Sequence, residues 1–335
     1  MKLRLCILAG VACLCGSPVF AGPLNKAWVA KDAQWVAHVD VEAGLASTLG
    51  RYMITHRDEL KLDGIEEVKA ELGIDPLSDI KSLTIYGSAS DGSDGIAVIH
   101  TTAAVEGMIA KMREKEKSLT TVSVNGMTLY TWDDHGMTRF AQVRRASVAS
   151  DRIVIVGADK DRLLSGISVL EGKSADLTAG ADGSVATTPK AGSFLFAAMN
   201  KLPDSEAAPL KQAKSIVMDL GEADREIYAD LSLETRTAKD ATNLVAVMQG
   251  GLALARMAAS GDPEHPELRE ISALADGITI TANESRISAK FRYSAEKITS
   301  CLQGLSALRN SLERGDGEGA SQTTKTRKED ARSKD

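Results

Sequence analysis

The sequence predicts an α+β fold in two related halves, each an antiparallel sheet covered by helices. Three observations carry that reading. Apolar residues alternate on either side of short turn signals, which is the period of half-buried strands. Pairs of such segments run into stretches whose apolar residues recur every three or four positions, the period of a helix buried on one side. The order of one strand, then strand-strand-helix twice, is read once before residue 174 and again after residue 190.

The unit that shows this best is Thr121 to Gly172. Asn125-Gly126 tolerates the positive φ angles of a type I′ turn, whose twist suits two paired strands. That turn sets Val122 and Val124 on one face with Met127, Leu129 and Thr131. Arg152 to Val156 adds a strand. Asp159 caps a helix with Leu163, Leu164, Ile167 and Leu170 on one stripe, and Gly172 ends it.

Residues 1–21 read as a secretory signal. Lys2 and Arg4 precede a short apolar run from Leu5 to Cys15, and Val19-Phe20-Ala21 offers small residues for cleavage before Gly22. The run is too short to span a bilayer. A lipid anchor on Cys13 or Cys15 is the alternative, but neither has a leucine three residues before it. Cleavage leaves about 314 of the 335 residues and a single thiol, Cys301, so stability must come from packing rather than a disulfide. Cys301 shares a helical stripe with Ile298, Leu302, Leu305 and Leu308 and is expected in the core.

In chain order, residues 22–173 form the first expected half. Gln34 to Val41 alternates as a strand, and two helical patterns follow, around Leu45 to Met53 and from Asp63 to Gly73. Asp75-Pro76 starts a short turn of helix. Ser82 to Gly87 and Gly95 to Thr101 are strands joined by a polar loop with no apolar anchor, and a helix carries Val105, Met108, Ile109 and Met112 inward. Residues 174–190 are rich in Gly, Ala, Ser, Thr and Asp and read as a linker. Residues 191–314 form the second half. Its strands are Ser193 to Met199, Ser215 to Leu220, Glu226 to Glu234, Gly277 to Ala282 and Arg286 to Tyr293, with a long helix from about Ala238 to Ala259 and one from Ser294. Asp262 to Asp276 is expected to add a helix. Residues 315–335 hold five basic and five acidic side chains and no large apolar one, the composition of a disordered tail.

Composition excludes some functions. The net charge is −6, or −8 without Lys2 and Arg4, which argues against nucleic acid or anionic lipid as partner. Aromatic residues at 4% leave few platforms for stacking bases or sugars.

Each candidate site residue has a plainer role. His38 and Asp40 share one strand face, but zinc needs at least three protein ligands and no third is evident, so a hydrogen-bonded pair at a sheet edge is the simpler role. Asp133-Asp134-His135 follows a strand and suits a turn. The Asp91 to Gly95 loop lacks the alternating aspartates and closing glutamate of a calcium loop. Leu244 to Ala259 is interrupted by Gln249, Gly250, Gly251 and Arg256, which fits a helix buried between sheet and neighbouring helices. There is no nucleophile elbow and no phosphate-cradling glycine loop. No catalytic, cofactor-binding or metal-binding residues are assigned, and no cofactor is expected.

The export signal, the strand at Trp35, the run Leu72-Gly73-Ile74-Asp75-Pro76-Leu77-Ser78-Asp79-Ile80 and the meander from Arg139 to Gly157 together resemble a known type. They are similar to uncharacterised secreted bacterial proteins of domain-of-unknown-function type, built from tandem strand-strand-helix units. That resemblance implies an envelope location and supplies no catalytic residues. The expectation is an exported, non-enzymatic binding or accessory module, periplasmic or secreted, whose partner is an envelope protein or a small ligand. The alternatives are a hydrolase assembled from His38, Asp40 and the Asp133 to His135 loop, or a small-ligand cleft between the halves.

Overall fold

A computed structural model of the chain describes residues 23–58, 64–102, 104–134, 136–146, 150–179, 188–202, 212–260 and 273–304. The expected signal, the tail and most of the extra helix before Asp276 lie outside those residues, apart from one helical turn at 273–276. The strands are β1 (Trp35–Asp40), β2 (Ile80–Gly87), β3 (Ile96–Thr102), β4 (Thr120–Val124), β5 (Met127–Asp134), β6 (Met137–Arg145), β7 (Asp151–Gly157), β8 (Ser193–Met199), β9 (Ala213–Ala223), β10 (Glu226–Thr235), β11 (Ile278–Asn283) and β12 (Arg286–Ser294). The helices are α1 (Val41–Ala46), α2 (Thr48–Thr55), α3 (Gly64–Leu72), α4 (Pro76–Asp79), α5 (Ala104–Lys115), α6 (Lys160–Leu170), α7 (Ala238–Ser260) and α8 (295–304).

Local chemistry sets most of these boundaries. Asn125 and Gly126 have φ of 51° and 76°, the type I′ turn, and the ladder from Val124↔Met127 to Thr120↔Thr131 has no slip. Asp159 accepts a hydrogen bond from the Arg162 amide to start α6, and Gly172 turns the chain out at φ 66°. Asp75 caps α4 through the Leu77 amide, with Pro76 in the first helical position.

All twelve strands belong to one sheet, in the order β11-β12-β10-β9-β8-β1-β2-β3-β7-β6-β5-β4. Every neighbouring pair is antiparallel. The class is the α+β one that was expected, but the two sheets are one. Between β1 and β8 the register runs from Trp35↔Met199 to Val39↔Leu195. Outward from that seam the halves share an order of connections but not its size, since the first inserts α1 to α4 after β1 and has a four-stranded meander where the second has two strands. An opening strand and a hairpin lead to a helix, α5 or α7, and the next meander returns its last strand beside the third.

The main core lies on the first half and the seam. Val36, Tyr86, Ile96, Val98, Leu129, Ile155 and Phe196 come from the sheet, and Leu163 and Ile167 of α6 cover them. Leu24, Val29 and Leu177 complete the cover. Leu177 belongs to the stretch expected to be linker. Instead its amide donates to the Val29 carbonyl, and the Lys31 amide donates to Ala175, so ordered structure continues to Ala179. A second cluster sets Ala241 and Val245 of α7 on Leu233 and Ile287. A third joins Val41 and Leu45 to Val39, Ile65, Leu77 and Ile80.

Two further readings change. The loop after β2 is anchored: the Trp35 indole donates to the Ala89 carbonyl at 2.8 Å, and the buried Asp94 carboxylate accepts from the amides of Ser88 and Ala89. The long helix α7 is not enclosed. Its inner face meets β10, β11 and β12, while Val247, Leu254 and Met257 on its outer side are 66%, 67% and 69% exposed. No helix among the described residues is long and apolar enough to cross a membrane. Near the β11 edge of the sheet, Gln249 donates to the Ile280 carbonyl and Arg256 to that of Ala275. Cys301 is buried, as expected.

Beyond the seam, a further hydrogen-bonded contact among the described residues ties the halves. The Glu222 carboxylate of β9 accepts from the Thr48 amide and hydroxyl at the start of α2, both at 2.6 Å. Glu222→Ala leaves those donors unpaired and is expected to lower unfolding stability by about 1–2 kcal/mol, read from the urea midpoint at unchanged m-value.

Candidate functional site

β1 carries its polar residues into the middle of the sheet rather than to an edge. Val36, His38 and Asp40 alternate onto one buried face. His38 Nδ1 lies 2.9 Å from the Thr84 hydroxyl on β2, and Asp40 accepts from the Ala43 amide at 2.9 Å, capping α1. From Asp40 the pairing continues across the sheet to Ser82 and then to His100. His100 Nε2 is 2.9 Å from Asp151 Oδ2, and Lys81 Nζ reaches the same oxygen at 2.8 Å. Ser150 donates to the other oxygen, and Lys81 also stands 4.0 Å from Glu42. The Trp28 ring lies edge-on to His100, with centroids 5.9 Å apart.

The charges of this row are not equivalent. Burial pushes Asp40 up to about 7, the cap from Ala43 opposing and the neighbouring Glu42 reinforcing the rise. Glu42 is raised as well, by burial, against the pull of Lys81 and His100. Burial would also raise Asp151, but hydrogen bonds from Lys81, Ser150 and His100 outweigh it and hold its carboxyl below the usual range. The row thus holds a firmly ionised aspartate beside two carboxyls that keep their protons unusually well.

An imidazole held by a carboxylate is the geometry of a general base. Here Lys81 competes for the same Asp151 oxygen, and among the described residues no hydroxyl or thiol is hydrogen-bonded to His100. No group of three or more His, Cys, Asp or Glu among the described residues could hold a metal ion. What the arrangement does physically is tie β2, β3 and β7 together and keep titratable carboxyls at the start of α1.

The structure does not unite the candidates for a hydrolase. β5 is five strands from β1, roughly 24 Å at the usual strand spacing. Asp133 closes a turn by accepting from the Gly136 amide, and His135 lies outside the described residues. Asp91 serves its own turn through the Ser93 amide. A cleft between the halves would have to lie on a face of the sheet, because the seam itself is a continuous ladder.

Two features escaped the sequence reading. Around β10, Arg292 binds Asp230 with two parallel hydrogen bonds of 2.6 and 2.8 Å, and Lys190 joins the same carboxylate. Arg292 also lies over the Tyr228 ring at 5.1 Å, and the Lys190 amide donates to Asp219. Burial and the adjacent Asp219 push Tyr228 up to about 12. This cluster is internally paired and fastens the chain as it enters β8. The other feature is the outer face of α7. Ala241 to Ala255 is fifteen residues without a charge, and Ala246, Val247, Gly250, Ala253 and Leu254 in it are exposed.

No family model matches the chain and no curated protein matches it. Three solved structures match along most of its length, each at 10% identity. Crystal form III of TP0453 has a TM-score of 0.47, with 84% of this chain and 99% of that one covered. Crystal form IV has 0.40, with 84% and 97% covered, and crystal form I has 0.38, with 86% and 98% covered. At those scores the description of the fold rests on the strand order itself.

Asp40 gives the row a measurable signature. In the unfolded chain it titrates near 3.8, so between about pH 4 and 7 the folded state binds the extra proton. Stability from this group is therefore highest at acid pH and declines as pH rises to about 7. Glu42 acts with the same sign, while Asp151 acts with the opposite one, its stabilisation present throughout that window and lost only as pH falls below it. Asp40→Asn keeps a cap acceptor and removes the titration. The expected result is a flatter stability profile between pH 5 and 8 in urea unfolding, with the variant gaining on the wild type by a few kcal/mol at pH 8 relative to pH 5, on the order of one pKa unit per 1.4 kcal/mol.

Proposed function

We propose that the chain is an exported, non-enzymatic binding module of the bacterial envelope that offers the outer face of α7 to a protein partner. The observation that carries this reading is the uncharged run from Ala241 to Ala255 on a helix whose Val247 and Leu254 face solvent. A helix packed on one side ordinarily turns charged residues outward, and between Ala241 and Ala255 this one does not. Covering each exposed Val, Leu or Met is worth roughly 1.5–3 kcal/mol, so a partner that packs along α7 has an ample driving force. Ala246, Gly250 and Ala253 would let its backbone come close.

Export is part of the same reading and is supported by Lys2, Arg4 and the short apolar run before Val19-Phe20-Ala21. The tandem strand-strand-helix organisation belongs to it as well, supported by the equal connection order of the two halves about β1 and β8.

The test compares the mature chain with the double variant Val247→Glu, Leu254→Glu in crosslinked pull-downs from envelope extract. Glutamate is a good helix former, and both sites are exposed, so folding should change by less than about 0.5 kcal/mol per site. The expected outcome is a discrete partner recovered with the wild type and lost with the variant. A partner recovered equally by both, or none by either, sinks the reading.

A further inference from the structure

β6 and β7 meet at one point with like charges opposed. Their ladder ends on the pair Arg145↔Arg152, so two arginine side chains leave the same face of the sheet from Cβ atoms about 5 Å apart. A cross-strand pair of equal charge weakens a sheet unless an opposite charge answers it. The other arginines of β6 are answered by carboxylates. Arg139 has Asp134 at 3.3 Å, and Arg144, which alternates to the opposite face, has Glu171 at 3.1 Å. Arg145 is different: it is exposed, and its side chain carries no hydrogen bond or ion pair among the described residues.

Arg152, its counterpart, is held in place. It is 9% exposed, its Nε donates to the Glu106 carboxylate of α5 at 2.8 Å, and its Nη1 donates to the Asp151 carbonyl at 3.0 Å. Two turns further along α5, on the same side of the helix, Arg113 lies over the Tyr130 ring at 5.5 Å. Tyr130 pairs with Ala141, which shares the face of Arg145 by alternation. α5 therefore crosses that face from β7 to β5, and Arg145 stands on the strand between them. These contacts bring three arginines and one carboxylate to a single margin of the sheet.

We infer that Arg145 and Arg152 bind a phosphate group on this margin, beside α5. Charge and shape select the ligand. Glu106 already supplies Arg152 with one carboxylate, so the group that answers the remaining cations has to carry more than a single charge on a compact frame. A phosphate monoester carries about −1.5 to −2 at neutral pH and offers three acceptor oxygens. Guanidiniums from two directly opposed residues each present parallel N–H donors to it, the recognition in which arginine surpasses lysine. Arg113 adds attraction from the far side of α5. The chain as a whole carries −6, which repels anions, so a phosphate is retained only where local donors converge in this way. None of these residues belongs to α7, and the site stands or falls separately from the partner surface.

Phosphorus NMR of inorganic phosphate and of glycerol phosphate, each with the mature chain at constant ionic strength, tests the site. Both resonances should broaden in proportion to the wild-type protein added. Arg145→Gln, at an exposed position, leaves the ladder intact and should weaken binding by about tenfold or more. Arg145→Lys keeps the charge without the fork and should fall between the two. Arg145→Glu gives Arg152 an opposite charge across the ladder, so it should abolish the broadening while holding or raising the urea midpoint of the phosphate-free chain. Those two readouts separate loss of the site from loss of the fold. Lys214→Gln, exposed on β9, should behave as the wild type. Tighter binding of glycerol phosphate assigns the site to a phosphorylated small molecule, and tighter binding of inorganic phosphate assigns it to the free ion; either supports it. The inference is overturned by a wild type that broadens neither resonance, or by broadening that survives Arg145→Gln. An equal loss in Lys214→Gln, or an Arg145→Glu chain less stable than the wild type, overturns it as well.

Discussion

The pairing of Trp35–Asp40 with Ser193–Met199 is the contact on which the rest of the architecture depends. Without it the chain has two open sheets, each with a central-type strand exposed along one side. With it, β1 and β8 become interior strands, and the side chains they alternate onto the covered face must fit a core. Val36, Phe194, Phe196 and Ala198 do so as apolar groups. His38 and Asp40 share that face and are tolerated because each has a partner fixed by neighbouring structure, the Thr84 hydroxyl and the first turn of α1. The seam therefore dictates where buried polarity sits, and the row from Asp40 to Asp151 grows outward from that point.

Among the described residues ion pairs are spread along the sheet, from Arg139 with Asp134 on β6 and β5, through Asp151, Asp94 and Asp230, to Arg256 with Asp276 beside β11. Two uncharged runs of fifteen residues, Ser118 to Trp132 and Ala241 to Ala255, lie at opposite ends of the sheet, one on the last hairpin and one on the helix beside β11. A fold this elongated across its strands has little helical cover to spare for both ends. Each end is finished in a different way, one by a one-sided helix and the other by backbone alone.

What the sequence made legible was whatever a few adjacent residues decide. Asn125-Gly126 fixes a hairpin by its own φ preferences, Asp159 and Gly172 bound a helix by capping, and Asp75-Pro76 starts one. Alternation located β1 well because its burial follows a period of two. That period says which side of a strand is buried and nothing about which strand lies next to it, so two sheets were expected where one exists. His100, Lys81 and Asp151 come from three strands and carry no spacing that could unite them beforehand. Apolar content misled at α7: a helix placed over the last strands of a sheet has only one side to bury, however greasy its other side.

The bond from Glu222 to Thr48 joins residues 174 positions apart, and β1 waits almost as long for β8. During synthesis the amino-terminal portion emerges first, with the free margin of β1 lined up and unanswered for some 150 residues. Maturation is thus a race between late closure by the chain's own remote segment and capture of that margin by a stranger. Until the chain's downstream portion arrives, that margin offers amides and carbonyls on which any other strand could add.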